Sequence, residues 1–377
     1  MRIHSLHHST EASPAELGRL LGAAVDAGAR SVLVLAGDGV PWPEPEVTPL
    51  LTGCPVPVFG GVFPEVLLGT WHAERGLVVV GLDQPAQVHV VQGLDRADTD
   101  FAAALAPLTP GSGSTMVLVD GLTPSIARFI EAVFDQLGGG QAIVGGGAGS
   151  LSFQPRPCLL SPQGLLQGGA LVVSLPGALH VGVDHGWMPV AGPFVVTRTN
   201  GNTIEQIDYQ PASQVYRACV EPLVGEALTP ENFFGHAKGY PFGLQRFDGS
   251  LLVRDPIVMQ GEHLVCVGEV PEQTVVRVLQ GQPGQLVAAA RQGAERALQA
   301  ASRGVHGALL IDCISRVLFL GEGFRDELAA VQAALHGSGA SPRPLFGALT
   351  LGEIANDGER CLEFYNKTLV LAAFPDE

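Results

Sequence analysis

The sequence predicts an α+β protein of layered, mixed β-sheets flanked by helices, with a degenerate internal duplication. Three observations carry this prediction. Short, wholly apolar strands that end in glycine alternate with amphipathic helical segments. The stretches between them read as β, with Gly, Pro and Asn-Gly turns, which favours α+β layering over one doubly wound sheet. Finally, the glycine-terminated strand ends resemble one another along the chain.

The elements follow in order. Ser13-Pro14-Ala15-Glu16 has the layout of a capping box with proline at the first helical position. Leu17, Leu20, Leu21, Ala24 and Val25 keep the helical period, and Gly28 stops it. Residues 31–36 form an apolar strand bounded by Gly37-Asp38-Gly39. A similar unit has a strand at 116–119 and a helix start at Thr123-Pro124. Its helix shows one face of Ile126, Phe129, Ile130, Val133, Phe134 and Leu137, stops at Gly138, and leads to a strand at 142–144 that runs into Gly145-Gly146-Gly147. A third unit has a helical face from Leu286 to Ala301 with Gly304 as its cap, a strand at 308–311, and a helix through Phe324, Leu328, Val331 and Leu335 ended by Gly337. Pro57-Val58-Phe59-Gly60-Gly61 with Glu65 matches Pro344-Leu345-Phe346-Gly347-Ala348 with Glu353, and Ile143-Val144-Gly145-Gly146 is a weaker third instance. Strands are further predicted at 76–81, 88–91, 169–175, 179–183, 194–197 and 264–267, with a hairpin at Asn200-Gly201. A short helix over 212–223 leads into Thr229-Pro230 and marks a boundary. The division is then 1–29 as an N-terminal segment with the first helix, 30–220 as one domain and 221–377 as the next.

A chain of 377 residues has the length of two or three domains, and 46% hydrophobic against 15% charged residues supplies a large core and argues against disorder. Net charge is −16, and lysine occurs only at Lys238 and Lys367. An acidic chain without a basic run is a poor binder of phosphate backbones, so nucleic acid is disfavoured as a partner. No apolar run reaches the roughly 20 residues that span a bilayer, so membrane insertion is not expected. The first residues show no signal-peptide pattern, and six scattered cysteines without a C-x-x-C pair read as reduced thiols in a cytoplasm.

Searches for P-loop, zincin and nucleophile-elbow signatures are empty, so no enzyme is predicted. His4, His7 and His8 lack acidic or cysteine partners nearby and read as a flexible terminus rather than a metal site. The glycines at 145–149 read as close backbone packing more readily than as an anion loop. His185 ends a predicted strand, as a structural turn residue, a pocket residue or a haem axial ligand; His236, near Lys238, is a weaker case. Asp312-Cys313-Ile314-Ser315-Arg316 stands where a buried strand ends and a loop is expected, the place where α/β proteins put ligand sites. Arg316 there would lower the Cys313 pKa or clamp a carboxylate, but a nucleophilic Cys313 needs a histidine base, and His306 belongs at the far end of the strand. Glu353 and Asn366 read equally as pocket linings or turn locks, and Arg254 as an exposed ion-pair partner or a ligand clamp.

At these motifs the chain resembles the FIST family over roughly residues 30 to 374. Val58-Phe59-Gly60-Gly61, Gly145-Gly146-Gly147-Ala148, His185-Gly186-Trp187, Val196-Thr197-Arg198 and Asn200-Gly201-Asn202 are similar to the FIST N region. Tyr240-Pro241-Phe242-Gly243, Leu252-Val253-Arg254, Cys313-Ile314-Ser315-Arg316, Gly352-Glu353-Ile354 and Asn366-Lys367-Thr368 are similar to FIST C, in the family's order. Ser315, where glycine is expected, and the loose turn Phe63-Pro64-Glu65 depart from the pattern. The resemblance implies a sensory module that binds amino acids or similar metabolites. Some bacterial relatives bind haem and report nitric oxide to a histidine kinase; eukaryotic relatives join an F-box. No room is left for a kinase, cyclase, receiver or F-box segment, so output is expected through a separate partner. The leading expectation is a cytoplasmic sensor of a carboxylate metabolite, with Arg254, Cys313, Arg316, Glu353 and Asn366 lining the pocket and no cofactor. A haem-linked gas sensor using His185 or His236, and a thiol enzyme using Cys313, are the alternatives.

Overall fold

One strand–helix–strand pattern is laid down three times in the computed structural model, which describes residues 1–301, 304–336, 343–356 and 361–376. The first repeat runs β1 (Ile3–Ser9), α1 (Pro14–Asp26), β2 (Ser31–Gly37), α2 (Glu44–Thr52), β3 (Val58–Phe63), the hairpin β4 (Glu65–Leu68) and β5 (Trp71–Ala73), and β6 (Leu77–Leu82). The second runs β7 (Gln87–Gln92), α3 (Phe101–Leu105), β8 (Ser114–Asp120), α4 (Ile126–Leu137), β9 (Ile143–Ala148), the hairpin β10 (Leu159–Ser161) and β11 (Gly164–Leu166), and β12 (Gly169–Leu175). The third opens with β13 (His180–Asp184) and is then interrupted. The insert holds β14 (Met188–Asn200), β15 (Thr203–Ile207), β16 (Gln210–Pro211), α5 (Ala212–Val224), α6 (Phe233–Ala237), β17 (Phe242–Gln245), β18 (Leu251–Gln260), β19 (His263–Val267) and β20 (Val275–Gln280). The repeat resumes with α7 (Pro283–Ala300), β21 (Val305–Cys313), α8 (Ile314–Leu320), α9 (Phe324–His336), β22 (Leu345–Thr350), the hairpin β23 (Glu353–Asn356) and β24 (Glu363–Tyr365), and β25 (Leu369–Pro375).

Each repeat builds a six-stranded mixed sheet: β1-β6-β2-β3-β10-β11, β7-β12-β8-β9-β23-β24 and β13-β25-β21-β22-β4-β5. The central pair of each (β2 and β3, β8 and β9, β21 and β22) is parallel and its neighbours are antiparallel. The hairpins are exchanged around a ring. That of the first repeat pairs with β22, that of the second with β3, and that of the third with β9. No sheet is therefore complete without a neighbour.

Glycine explains why the strand ends look alike in sequence. Gly60, Gly145 and Gly347 pair across the parallel centres with Val34, Val117 and Leu310. A Cβ on any of the three would lie 1.8 Å from the partner's carbonyl oxygen. The weak instance at Ile143-Val144-Gly145-Gly146 is thus the structural equal of the other two.

The insert's strands run β14-β20-β17-β18-β19-β15, and a β14–β15 pairing closes them into an antiparallel barrel with β16 appended. Val196, Ile204, Phe242, Leu264 and Val278 fill its core, capped by Tyr216 of α5 and Phe233 of α6. The hairpin at Asn200-Gly201 joins β14 to β15 as predicted, with Gly201 at φ +59°. Ser13 caps α1 as predicted, its Oγ accepting from the Glu16 N–H at 3.1 Å.

Gly145-Gly146-Gly147 lies inside β9 between β8 and β23, the close backbone packing expected of it. Three readings change. The histidine-bearing terminus is an edge strand, β1, ordered by pairing with β6. The boundary at 220/221 falls within α5, and the exchanged strands run across it in space. The segment after β21 is helix α8, not a loop. Gly337 lies outside the described residues. Among the described residues no helix is long and apolar enough to cross a membrane.

Gly145→Ala is expected to cost about 3 kcal/mol or more, because backbone and not a side chain must yield. Urea denaturation against the parent protein measures it, and the same loss is expected at Gly347.

Candidate functional site

Strand β21 is buried and apolar from Ala308 to Ile311, between β22 and β25. Its polar end meets a group of buried charges. Asp312 accepts from the Cys313 N–H at 2.8 Å, and α8 begins at once. One turn on, Arg316 points back with its Nε 3.4 Å from Asp312. Nε and Nη2 grip Glu327 of α9 at 2.9 and 2.7 Å. Nη1 donates to the carbonyls of His185 at 2.6 Å and Lys367 at 3.1 Å, and Nη2 to that of Leu286 at 3.1 Å. These bonds use all five guanidinium donors. Arg316 is therefore a clamp on the protein itself, and the expected pairing with a ligand carboxylate is corrected.

A second ion pair stands beside the first. Lys367 is fully buried at φ +51°; its Nζ lies 3.0 Å from Asp255, donates to the Lys238 carbonyl at 2.9 Å and sits 5.0 Å over the Trp187 ring. The Ser315 hydroxyl donates to the same Asp255 oxygen at 3.0 Å, and Trp187 Nε1 donates to the Lys367 carbonyl at 3.0 Å. Glu353 accepts from the Thr350 hydroxyl at 3.0 Å, from the Thr368 N–H at 3.3 Å and from the Cys313 thiol. Burial pushes the Glu353 carboxyl up to about 8, so it is protonated at neutral pH. Burial and the nearby Glu327 push Asp312 well up too. Arg316 is thus paired with Glu327 and Lys367 with Asp255.

Cys313 is a buried thiol. Burial and the nearby Glu353 push its thiol well above the ordinary value, and its bond is to Glu353 rather than to a histidine. His306 is occupied with the Ile3 N–H at 3.1 Å, at the start of β21 as predicted. Asn366 donates from Nδ2 to the Tyr365 carbonyl, and its buried Oδ1 is unpaired.

Neither candidate haem ligand offers a free imidazole. His185 Nδ1 accepts from the Trp187 N–H at 2.9 Å, and its ring also bonds the Leu251 backbone. Burial depresses its pKa to about 4, so the ring is neutral. His236, on α6, pairs through Nε2 with Glu226 at 2.8 Å. These residues do not fit a haem.

Two cavities lie beside this cluster. The first, of about 510 Å³, is lined by β13 with His185, by Ser250 and Leu251, by Arg296 and Ala300 of α7, and by Asn356, Tyr365 and Thr368. Arg296 and Asp184 form an ion pair on its wall, half-exposed on the arginine side. Of the predicted residues only His185 lines it. The second, of about 540 Å³, is bounded by the start of α4 and by β18 and β19, and holds Arg254. Strand alternation separates Arg254 from its neighbour: Asp255 faces the ionic cluster and Arg254 the other way. The five expected pocket residues thus do not converge on one ligand.

Sequence reading missed Asp255, Glu327, Asp184, Arg296 and the role of Lys367. One signal was available for the last, because a chain with only two lysines places one between Asn366 and Thr368. Nothing local marked the others.

A family model of the FIST N domain matches residues 65–210, and one of the FIST C domain matches residues 212–356. The junction between the two matches divides the inserted barrel at β16, leaving β14 and β15 on one side and β17 to β20 on the other. No curated protein matches the chain.

Arg316→Met is expected to lose about 3–5 kcal/mol in chemical denaturation, because Glu327 is left charged and buried. Glu353 yields a pH signature. Its folded-state value of about 8 lies above its ordinary value, so the folded state holds the extra proton and stability falls as pH rises through that window. Thermal melts between pH 5 and pH 9 are expected to show a decline on the order of 3 kcal/mol that Glu353→Gln flattens.

Proposed function

The chain belongs to the FIST family, whose domains are generally sensory, signal-transduction domains, and from that premise we propose that it recognises an amino acid or a related carboxylate metabolite in the first cavity. The observation that carries the reading is the Asp184–Arg296 pair on the cavity wall. One anion and one cation side by side are the complement of a zwitterion: Arg296 takes the carboxylate through the donors left by its bonds to Val183 and Asp184, and Asp184 accepts from the ammonium. Ser250, Thr368 and Asn356 add neutral polar groups, while Val181, Val183 and Leu251 offer an apolar wall for the side chain. The volume falls within the roughly 300–1,000 Å³ of small-molecule sites.

Signalling follows from what these lining residues hold on their other side. The His185 carbonyl accepts from Arg316, and the Thr368 N–H donates to Glu353. A ligand that shifts either residue changes the bonding of the buried ionic cluster, where two discrete arrangements are cheaper than a continuous deformation. Output passes to a separate signalling partner. A cytoplasmic setting is supported by six free cysteines.

Isothermal titration with the common amino acids and their deaminated carboxylates tests the reading. At least one is expected to bind at micromolar concentration, and Arg296→Met to weaken it about tenfold or more while circular dichroism stays unchanged. No binding by any member, or equal affinity in the variant, overturns it.

A further inference from the structure

We propose that the second cavity is a separate binding site for an amphipathic monocarboxylate, a molecule with an apolar body and one anionic head anchored by Arg254. Arg254 is 7% exposed, and its Nε donates to the Glu269 carbonyl at 2.9 Å. Its Nη1 donates to the carbonyls of Val253 at 3.1 Å and Phe364 at 2.9 Å. Among the described residues Nη2 has no acceptor, and no carboxylate forms an ion pair with this guanidinium. Buried charges in proteins are ordinarily paired. Here the pairing is missing on the side where Arg254 lines a cavity of about 540 Å³. Burial lowers its pKa only to about 10, so it stays charged at neutral pH.

The walls select the rest of the molecule. Leu122, Ile126, Phe153, Ile257, Val267 and Phe364 present hydrocarbon to the space. The nearest carboxylates act on Arg254 only from a distance: Glu363 is paired with Arg246, and the Glu269 side chain is exposed. One cation in an apolar chamber suits one negative charge. A polyphosphate or a dicarboxylate would bring surplus charge into a chain already at −16. Gly268 shows how closely the site is fitted around the guanidinium. At φ +82° it lies where a Cβ would stand 3.2 Å from Arg254 Nε, so only glycine leaves the arginine its place.

The position gives such a ligand a consequence. The chamber is walled by α4 of the second repeat, by the inserted barrel and by β24 of the third repeat. Its occupant would bridge all three. Arg254 also holds the Phe364 carbonyl, three residues before Lys367 of the ionic cluster.

The test uses octanoate as the probe and 1-octanol as its uncharged counterpart, titrated into the full chain by calorimetry. Octanoate is expected to bind at a single site, about tenfold or more tighter than octanol. Ala127→Trp, which fills the chamber from α4 and leaves Arg254 untouched, is expected to abolish binding. Arg254→Met is expected to reduce octanoate to the affinity of octanol, and Arg296→Met to leave it unchanged. Equal binding of octanol, full binding in Ala127→Trp of native circular dichroism, or no octanoate binding at millimolar concentration overturns the proposal.

Discussion

The buried Arg316–Glu327 pair is the interaction on which the neighbourhood of both cavities depends. One guanidinium joins α8 to α9 through Glu327, and ties down the carbonyls of His185 after β13, Leu286 in α7 and Lys367 before β25. These segments come from four places in the chain. No hydrophobic contact has comparable directionality, because each of the five donors fixes a separate backbone or side-chain oxygen. The cost of burying the charge is met by the carboxylate and the carbonyls together, and it is recovered only if all are in place.

Around that anchor the molecule is organised by exchange. Each repeat lends its hairpin to the next sheet in the ring, so the three sheets stand or fall together. The parallel centre of each sheet requires a glycine where the backbones come closest. The inserted barrel then sits in the third repeat and supplies walls to both cavities. Family membership follows the linear chain, with one match ending at residue 210 and the next beginning at 212, but the folded unit does not separate at that point. A sensory role suits this construction: a ligand held between the barrel and the repeats touches elements of both at once.

Much of the architecture was legible because it rests on local rules. Ser13 caps α1 and Asn200-Gly201 turns a hairpin, each from chemistry within a few residues, and Gly60, Gly145 and Gly347 mark look-alike strands. The terminus misled for the opposite reason. His4, His7 and His8 have no local order, and it is the distant β6 that makes them a strand.

The candidate site divides along the same line. Composition, periodicity and the order of small motifs were enough to determine the layered α+β class, the repeated unit and the family, because these are properties of the chain taken a segment at a time. Cys313, Arg316, Glu353 and Asn366 were expected to line a ligand pocket, being polar groups beside buried strands. What they do was decided only by packing. Glu327 is eleven residues from Arg316 on another helix, and Lys367 meets an aspartate more than a hundred residues earlier. These partners convert expected ligand contacts into an internal brace. Arg254, one residue from Asp255, is turned by the pleat of β18 to face a different space. A residue type carries the capacity to bind, but whether its donors are spent on the protein or left for a ligand depends on distant neighbours, and those are set by the tertiary structure alone.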